Sequence, residues 1–240
     1  MRTVLMSLCL LSTQALAIDP FSATFDVSRN NKALGTMEMT LRETSPGSFE
    51  FASRTEGTEG MAGFLSASIE ERSQLQRGAA GYATTRYRYQ QKMVGRKRER
   101  SLDVAADGAI AEREKDDRWS YRASNPVLDR HAAVLGVAEK LADGANVGSV
   151  LSIDVALRGE VSPWRFLVVG HETIQTGSGK IATIRVERVR DNPNRKTVSW
   201  HAPSYQYLPV KVEQSEPDGE TMASVLKRFV PANAPARPPQ

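Results

Sequence analysis

Residues 198–213 read V-S-W-H-A-P-S-Y-Q-Y-L-P-V-K-V-E, and the two prolines decide how the chain is parsed. Proline has no N–H to give a strand ladder, so Pro203 fits only a loop, while Pro209 is tolerated as the first residue of a strand. The stretch therefore predicts a strand ending near Trp200, a long connection carrying Tyr205 and Tyr207, and a returning strand, which together make a β-hairpin.

The same grammar extends outward in both directions. Residues 150–157, 164–176, 180–189 and 223–229 also read as strands, broken at Gly159, at 177–179 (G-S-G), at 192–194 (N-P-N) and at 217–219 (P-D-G). Turn signals at that spacing belong to an all-β sandwich or barrel. In the first half, F-S-A-T-F-D-V at 21–27 alternates, with Phe21, Ala23, Phe25 and Val27 on one face, as a half-buried strand requires. Asn30 and Asn31 mark a turn, L-G-T-M-E-M-T-L at 34–41 a second strand, and Pro46-Gly47 another turn. After the loop E-G-T-E-G-M-A-G, residues 66–75, 82–91, 96–104 and 118–123 continue the meander.

One segment breaks the pattern. Residues 129–142, D-R-H-A-A-V-L-G-V-A-E-K-L-A, place Val134, Val137 and Leu141 at helical spacing, with Asp129 able to cap the start and Gly144 the stop. The expectation is a mainly antiparallel, all-β protein over residues 18–230. It takes the form of a curved sheet, open β-barrel or sandwich with one packed α-helix, followed by a disordered Pro-rich tail at 231–240.

Residues 1–17 carry Arg2, an apolar core at 4–11 and Ala15-Leu16-Ala17, the layout of a cleavable signal peptide with cleavage after Ala17. Its apolar run is shorter than the about 20 residues that span a bilayer, and no later segment is apolar enough, so the mature chain is expected to be periplasmic with no transmembrane segment. Cys9, the only cysteine, lies inside that leader, preceded by Leu8 where a lipoprotein signal needs a small residue. A mature chain without thiols has no disulfide, no cysteine nucleophile and no cysteine metal ligand. The net charge of +4 suits an anionic envelope as well as simple solubility, and in an exported protein it does not indicate nucleic acid.

Few residues suggest chemistry. His131, His171 and His201 have no spacing that makes a metal site, and His171-Glu172 point to opposite faces of a strand. Gly177-Ser178-Gly179 lacks the spacing of a nucleophile elbow and serves as a turn. Glu70-Glu71 and Asp116-Asp117 are neighbours in sequence, better read as solvated charges than as a glycosidase pair. No catalytic residue, metal or cofactor is assigned.

The most distinctive polar feature is an arginine hairpin. Arg86 and Arg88 on one arm and Arg96, Arg98 and Arg100 on the other would lie near one another if the arms pair in simple register, and guanidinium groups grip phosphate or carboxylate bidentately. A solvated face neutralised by Glu99 and nearby acids is the plainer reading. Among the aromatic residues, Trp119, Trp164 and Trp200 fit a β core or its rim, and Tyr205 and Tyr207 are the expected exposed pair. The candidate binding residues are thus the five arginines with Trp200, Tyr205 and Tyr207.

F-S-A-T-F-D-V with A-L-G-T-M-E-M-T-L, the region from Ser68 through Tyr87, the helix after Asp129, G-H-E-T-I-Q-T-G-S-G-K-I-A-T-I-R-V and the closing V-S-W-H-A-P and L-P-V-K-V-E-Q together resemble a bacterial family known as domain of unknown function 3108. The resemblance implies an exported β-rich protein with no established activity and no catalytic residues to carry over. A looser likeness, of architecture only, is to periplasmic lipoprotein carriers and related lipid-binding half-barrels, which wrap a long sheet around a helix. The function expected is a non-enzymatic binding or accessory protein of the cell envelope, holding an apolar or lipid-like ligand in the concave face of its sheet, with a lipid-like or anionic envelope ligand, the latter at the arginines, or an envelope protein as the expected partner. A filled barrel contacting another envelope protein is the alternative, and an envelope hydrolase a distant third.

Overall fold

The computed structural model describes residues 18–58, 67–177, 179–190, 192 and 194–232. The leader with its cleavage site and Cys9, most of the 56–63 loop, Ser178, Pro193 and the tail beyond 232 lie outside the described residues. In chain order the elements are β1 (Phe21–Arg29), β2 (Lys32–Ser45), β3 (Ser48–Gly57), β4 (Ser68–Gly78), β5 (Gly81–Met93), β6 (Arg96–Val104), β7 (Ala109–Glu114) and β8 (Asp117–Arg122). The single helix α1 (Ala133–Ala142) follows, then β9 (Val150–Leu157), β10 (Glu160–Thr176), β11 (Gly179–Val189), β12 (Lys196–Ala202), β13 (Leu208–Ser215) and β14 (Thr221–Pro231).

All fourteen strands form one antiparallel sheet in the order β8-β7-β6-β5-β4-β3-β2-β1-β14-β13-β12-β11-β10-β9. Each half of the chain is a meander, and the first and last strands join the halves by pairing with each other, Phe21 opposite Pro231. Pro231 is thus the last residue of a strand rather than the first of a tail.

The sheet curls because a segment between β8 and the helix closes it. β5 pairs with β6 only from Arg86 onward, which leaves the edge of its first residues free. The Thr84 N–H donates to the Val127 carbonyl (2.8 Å), the Leu128 N–H to Asp154 O (3.0 Å), and the Ala156 N–H to Leu128 O (2.9 Å). Leu128 runs parallel to Val155 and so bridges β5 to β9. An otherwise open edge on each strand finds partners in this way, as buried backbone groups must. Strands β6 to β8 continue past the seam as a flap, and Trp119 on β8 packs over the Arg158-Gly159 turn. Gly159 has φ +85, and a Cβ there would sit 2.4 Å from Trp119 Cδ1.

Regular helix starts at Ala133, but its first turn is organised by Asp129, as the sequence suggested. Asp129 Oδ1 accepts the N–H groups of His131 (2.8 Å) and Ala132 (3.0 Å), and the Asp129 carbonyl accepts the Ala133 N–H (3.0 Å). Gly144, at φ +91, ends the helix, its N–H bonded to Leu141 O. Leu135, Val137 and Leu141 are buried against the inner face of the sheet, each contributing about 1.5–3 kcal/mol by leaving water. Gly136 permits the close approach, since a Cβ there would meet Leu128 Cδ1 at 2.8 Å.

Candidate functional site

Register shows which side chains share the concavity. One row of cross-strand partners runs Phe21, Leu41, Phe51, Ser73, Tyr87, Leu102 and Glu112 across β1 to β7. A parallel row runs Phe25, Met37, Thr55, Ile69, Gln91 and Arg98. In the other direction Val27, Ser224, Val212, Ser199, Val186 and Val168 form a row across β1, β14, β13, β12, β11 and β10. Since side chains alternate faces along a strand, all three rows lie on the inner face, the one the helix covers.

The helix fills only part of that face. Toward the end where β1 finishes, a hollow of about 620 Å³ has apolar walls from Val27, Leu34, Ile69, Met93 and Met222. The exposed cations Arg29, Lys32 and Lys92 border it, with Arg29 paired to Glu220. Thr55, Ile69 and Gln91 come to it from the second row.

Arg188 projects from the same face, two residues beyond Val186 and opposite Phe166. β1 and β11 run in the same direction, four antiparallel steps apart, so Arg188 lies toward the same end of the sheet as Arg29. Its guanidinium carbon stands 3.3 Å from the centroid of the Trp164 ring. Among the described residues no carboxylate pairs with it. Burial, and after it the positive charges of Arg190, Arg195 and Arg130, push Arg188 down to about 9. Arg190 is also lowered, first by burial and then by Arg195, against an opposing effect of Glu216. Its Nη2 donates to Thr197 Oγ1 (2.9 Å), while its buried Nε has no partner among the described residues.

The arginine hairpin does not form the cluster expected of it. Tyr87 pairs with Leu102, Tyr89 with Arg100 and Gln91 with Arg98, so Arg96, Arg98 and Arg100 share a face with the tyrosines, whereas Arg86 and Arg88 project from the other. The period-2 pleat separates the two arms, because this register puts Arg86 opposite Asp103 rather than opposite an arginine. Both outer arginines pair with Asp103, Arg86 through Nε at 2.8 Å and Arg88 through Nη2 at 3.0 Å to each carboxylate oxygen. On the inner face Arg98 and Arg100 grip Glu114, joined by Arg158 Nε at 3.2 Å. Arg96 lies at the hairpin end, exposed. Carboxylates neutralise four of the five, and those carboxylates are Asp103 and Glu114 rather than Glu99, which pairs with Lys97.

The aromatic candidates are likewise engaged in structure. Trp200 lies between its cross-strand neighbours, with Arg185 and Lys211 charges 5.9 and 4.6 Å from its ring and Nε1 donating to Glu172 (2.8 Å). Tyr205 and Tyr207 are half-buried rather than exposed: Pro203–Tyr205 forms a 3-10 turn that folds Tyr205 edge-on against Phe229, 5.2 Å between centroids. Gln206 and Tyr207 then turn the chain at φ 56 and 57, and the Tyr207 N–H returns to Ala202 O. His201 sits beneath, its Nδ1–H donating to Tyr207 O (2.7 Å) and its Nε2 accepting from Ser199 Oγ (2.9 Å). Burial lowers it to about 4, so it is a neutral structural histidine.

Serine, histidine and aspartate do meet in the interior. Ser73 Oγ donates to Asp129 Oδ1 (3.0 Å) and lies 3.0 Å from His131 Nδ1, and Thr84 Oγ1 donates to Oδ2 (2.8 Å). Ser73 and Asp129 are fully buried, and the carboxylate already caps two backbone N–H groups. The serine proton is directed at the carboxylate, not the imidazole, which is the reverse of a nucleophile activated by a base. Burial raises Asp129 and lowers His131, whose ring stacks on Phe51 with centroids 4.3 Å apart. The group locks the first turn of the helix to β4 and β5. Among the described residues no three His, Cys, Asp or Glu side chains converge as a metal site would need.

Arg188 and Arg190 were not singled out from sequence, and Trp164 was read there only as a core or rim residue. The available signal was the alternation Ile184, Val186, Arg188, Arg190, in which arginines continue an apolar face that the strand pattern points inward.

A long antiparallel sheet curled around one helix, with an apolar hollow toward one end of its inner face, defines a β-barrel-like protein. Residues 24–225 match the family described as Protein of unknown function (DUF3108), and the chain belongs to that family. Among solved structures, a β-barrel-like protein of the DUF1849 family from Brucella abortus is similar, at 11% identity, covering 91% of this chain and 100% of that one with a TM-score of 0.54. A DUF1089 family protein from Pseudomonas aeruginosa is more distant, at 11% identity over 87% of this chain and 95% of that one, with a TM-score of 0.37. No curated protein matches the chain. Among the described residues no helix is long and apolar enough to cross a membrane.

Proposed function

We propose that this chain is a non-enzymatic binding protein of the bacterial envelope that carries an apolar or lipid-like ligand on the inner face of its sheet. The observation that carries the reading is the hollow of about 620 Å³ walled by Val27, Leu34, Ile69, Met93 and Met222. A space of that size with mainly apolar walls suits a small hydrophobic molecule or one acyl chain. The leader read from residues 1–17 supports export. Native mass spectrometry of protein purified gently from a bacterial periplasm, compared with the same sample after denaturing extraction, tests the reading. A bound species of lipid mass that is lost on extraction is expected. A bare chain mass from folded protein, unchanged after incubation with lysolipid, would refute it and favour a barrel that contacts another envelope protein.

A further inference from the structure

We infer that Arg188, backed by Trp164 and assisted by Arg190, is the anion site of this protein and receives the oxyanion head group of an amphiphile whose chain occupies the apolar hollow. The inference rests on the binding function proposed above and adds the chemical class of the ligand.

Elsewhere several arginines share a carboxylate with a neighbour. Arg98, Arg100 and Arg158 share Glu114, Arg86 and Arg88 share Asp103, and Arg54 has both Glu56 and Glu70. Arg188 departs from this pattern. It is half-buried on the inner face, and every described charge that acts on it is positive: Arg190, Arg195 and Arg130. Such an arrangement costs stability in the empty protein, through desolvation and like-charge repulsion together. A bound oxyanion relieves both, because a guanidinium offers a planar fork of donors that matches phosphate or carboxylate. The Trp164 ring holds the guanidinium plane by cation–π contact and leaves its edge donors free, since no hydrogen bond from Arg188 to the described residues is formed. Arg190 adds a second donor, as its buried Nε has no acceptor among the described residues.

Geometry also selects an amphiphile over a bare anion. Phe166 stands opposite Arg188, and the row from the buried Val186 through Val212 to Val27 runs across the inner face to the wall of the hollow. Four strand spacings separate β11 from β1, about 19 Å along the curved sheet at about 4.8 Å each, comparable to an extended acyl chain.

The experiment is calorimetric titration of the full mature chain with an anionic lysophosphatidylglycerol, an uncharged monoacylglycerol of the same chain length, and inorganic phosphate. It is run on wild type, Arg188→Gln and Arg188→Lys, with thermal unfolding of each protein measured alongside. Wild type is expected to prefer the anionic lysolipid at least about tenfold, a preference that Arg188→Gln abolishes and Arg188→Lys keeps in part, while binding of the monoacylglycerol is unchanged. Because Arg188 has no counter-charge among the described residues, Arg188→Gln relieves like-charge repulsion as it loses the Trp164 contact and should leave the unfolding midpoint little changed, so a lost preference is not a folding defect. Equal binding of both amphiphiles by wild type, or an undiminished preference in Arg188→Gln, overturns the anion site while leaving the apolar hollow intact. Failure of wild type to bind either amphiphile overturns the proposed function itself. Phosphate binding that depends on Arg188 and matches the lysolipid in affinity overturns the amphiphile in favour of a free anion.

Discussion

Replacing Glu114 by glutamine tests whether the flap of β6 to β8 is held to the barrel by charge. The Glu114 side chain is 8% exposed and takes hydrogen bonds from Arg98 Nε (2.9 Å), Arg100 and Arg158 Nε (3.2 Å), so it ties β6 and the β9–β10 turn to β7. Burial pushes its carboxyl up, but the hydrogen bonds from Arg98 and Arg100, the charge of Arg100 and the bond from Arg158 outweigh burial and hold it at about 2, against an ordinary 4.5. A lowering of that size corresponds to about 3 kcal/mol of stability at neutral pH. The folded-state value lies below the unfolded one, so the contribution is complete above about 4.5 and disappears as pH falls through about 2. At pH 3 somewhat under half, about 1.4 kcal/mol, remains. Glu114→Gln should therefore cost about 3 kcal/mol at pH 7, in line with breaking a buried pair and leaving Arg100, 5% exposed, without its counter-charge. Urea denaturation of both proteins at pH 7 and pH 3 reads this directly, and the difference between them should shrink to about 1.4 kcal/mol at the lower pH. A difference below about 1 kcal/mol at pH 7, or one that is the same at both pH values, would show that the cluster is solvent-screened and that the flap is held by packing alone.

Gly159→Ala should cost about 2–4 kcal/mol, since the residue must hold φ +85 and its methyl group would press on Trp119; denaturation together with the near-ultraviolet dichroism of the tryptophans checks it, and an unchanged spectrum would deny the contact. Asp129→Ala should cost about 3 kcal/mol or more by stranding the hydroxyls of Ser73 and Thr84 and two helix N–H groups, and Asp129→Asn, which keeps a capping oxygen, distinctly less; equal losses in urea would mean that capping is not its role. His201 should titrate at about 4 in NMR, first because burial disfavours its charged form, so its stabilising effect is complete above about 6.5 and is lost as pH falls through about 4; a midpoint near 6.5 would place the ring in water.

Strand grammar was legible in the sequence because its causes are local. The alternation of Phe21, Ala23, Phe25 and Val27, the Asn30-Asn31 turn with φ of 51 and 61, and the capping role of Asp129 each depend on a few neighbouring residues. The hairpin around Pro203 formed as read, although strand pairing runs to Ala202 and Leu208, two residues past Trp200 and one before Pro209. Burial of Tyr205 was not legible, because it depends on Phe229 arriving from the last strand.

What the sequence by itself determined was an antiparallel β meander interrupted by one amphipathic helix, since period, turn residues and capping are written within short windows. Tertiary structure alone decided which faces meet. The register of β5 against β6 split the arginine hairpin, and the Leu128 bridge closed the sheet. Strand register set Glu114 opposite Arg100 on the neighbouring strand and left Arg188 with no carboxylate among the described residues. Pairings of this kind depend on alignments between strands that a one-residue slip would reverse, and only the assembled sheet fixes them.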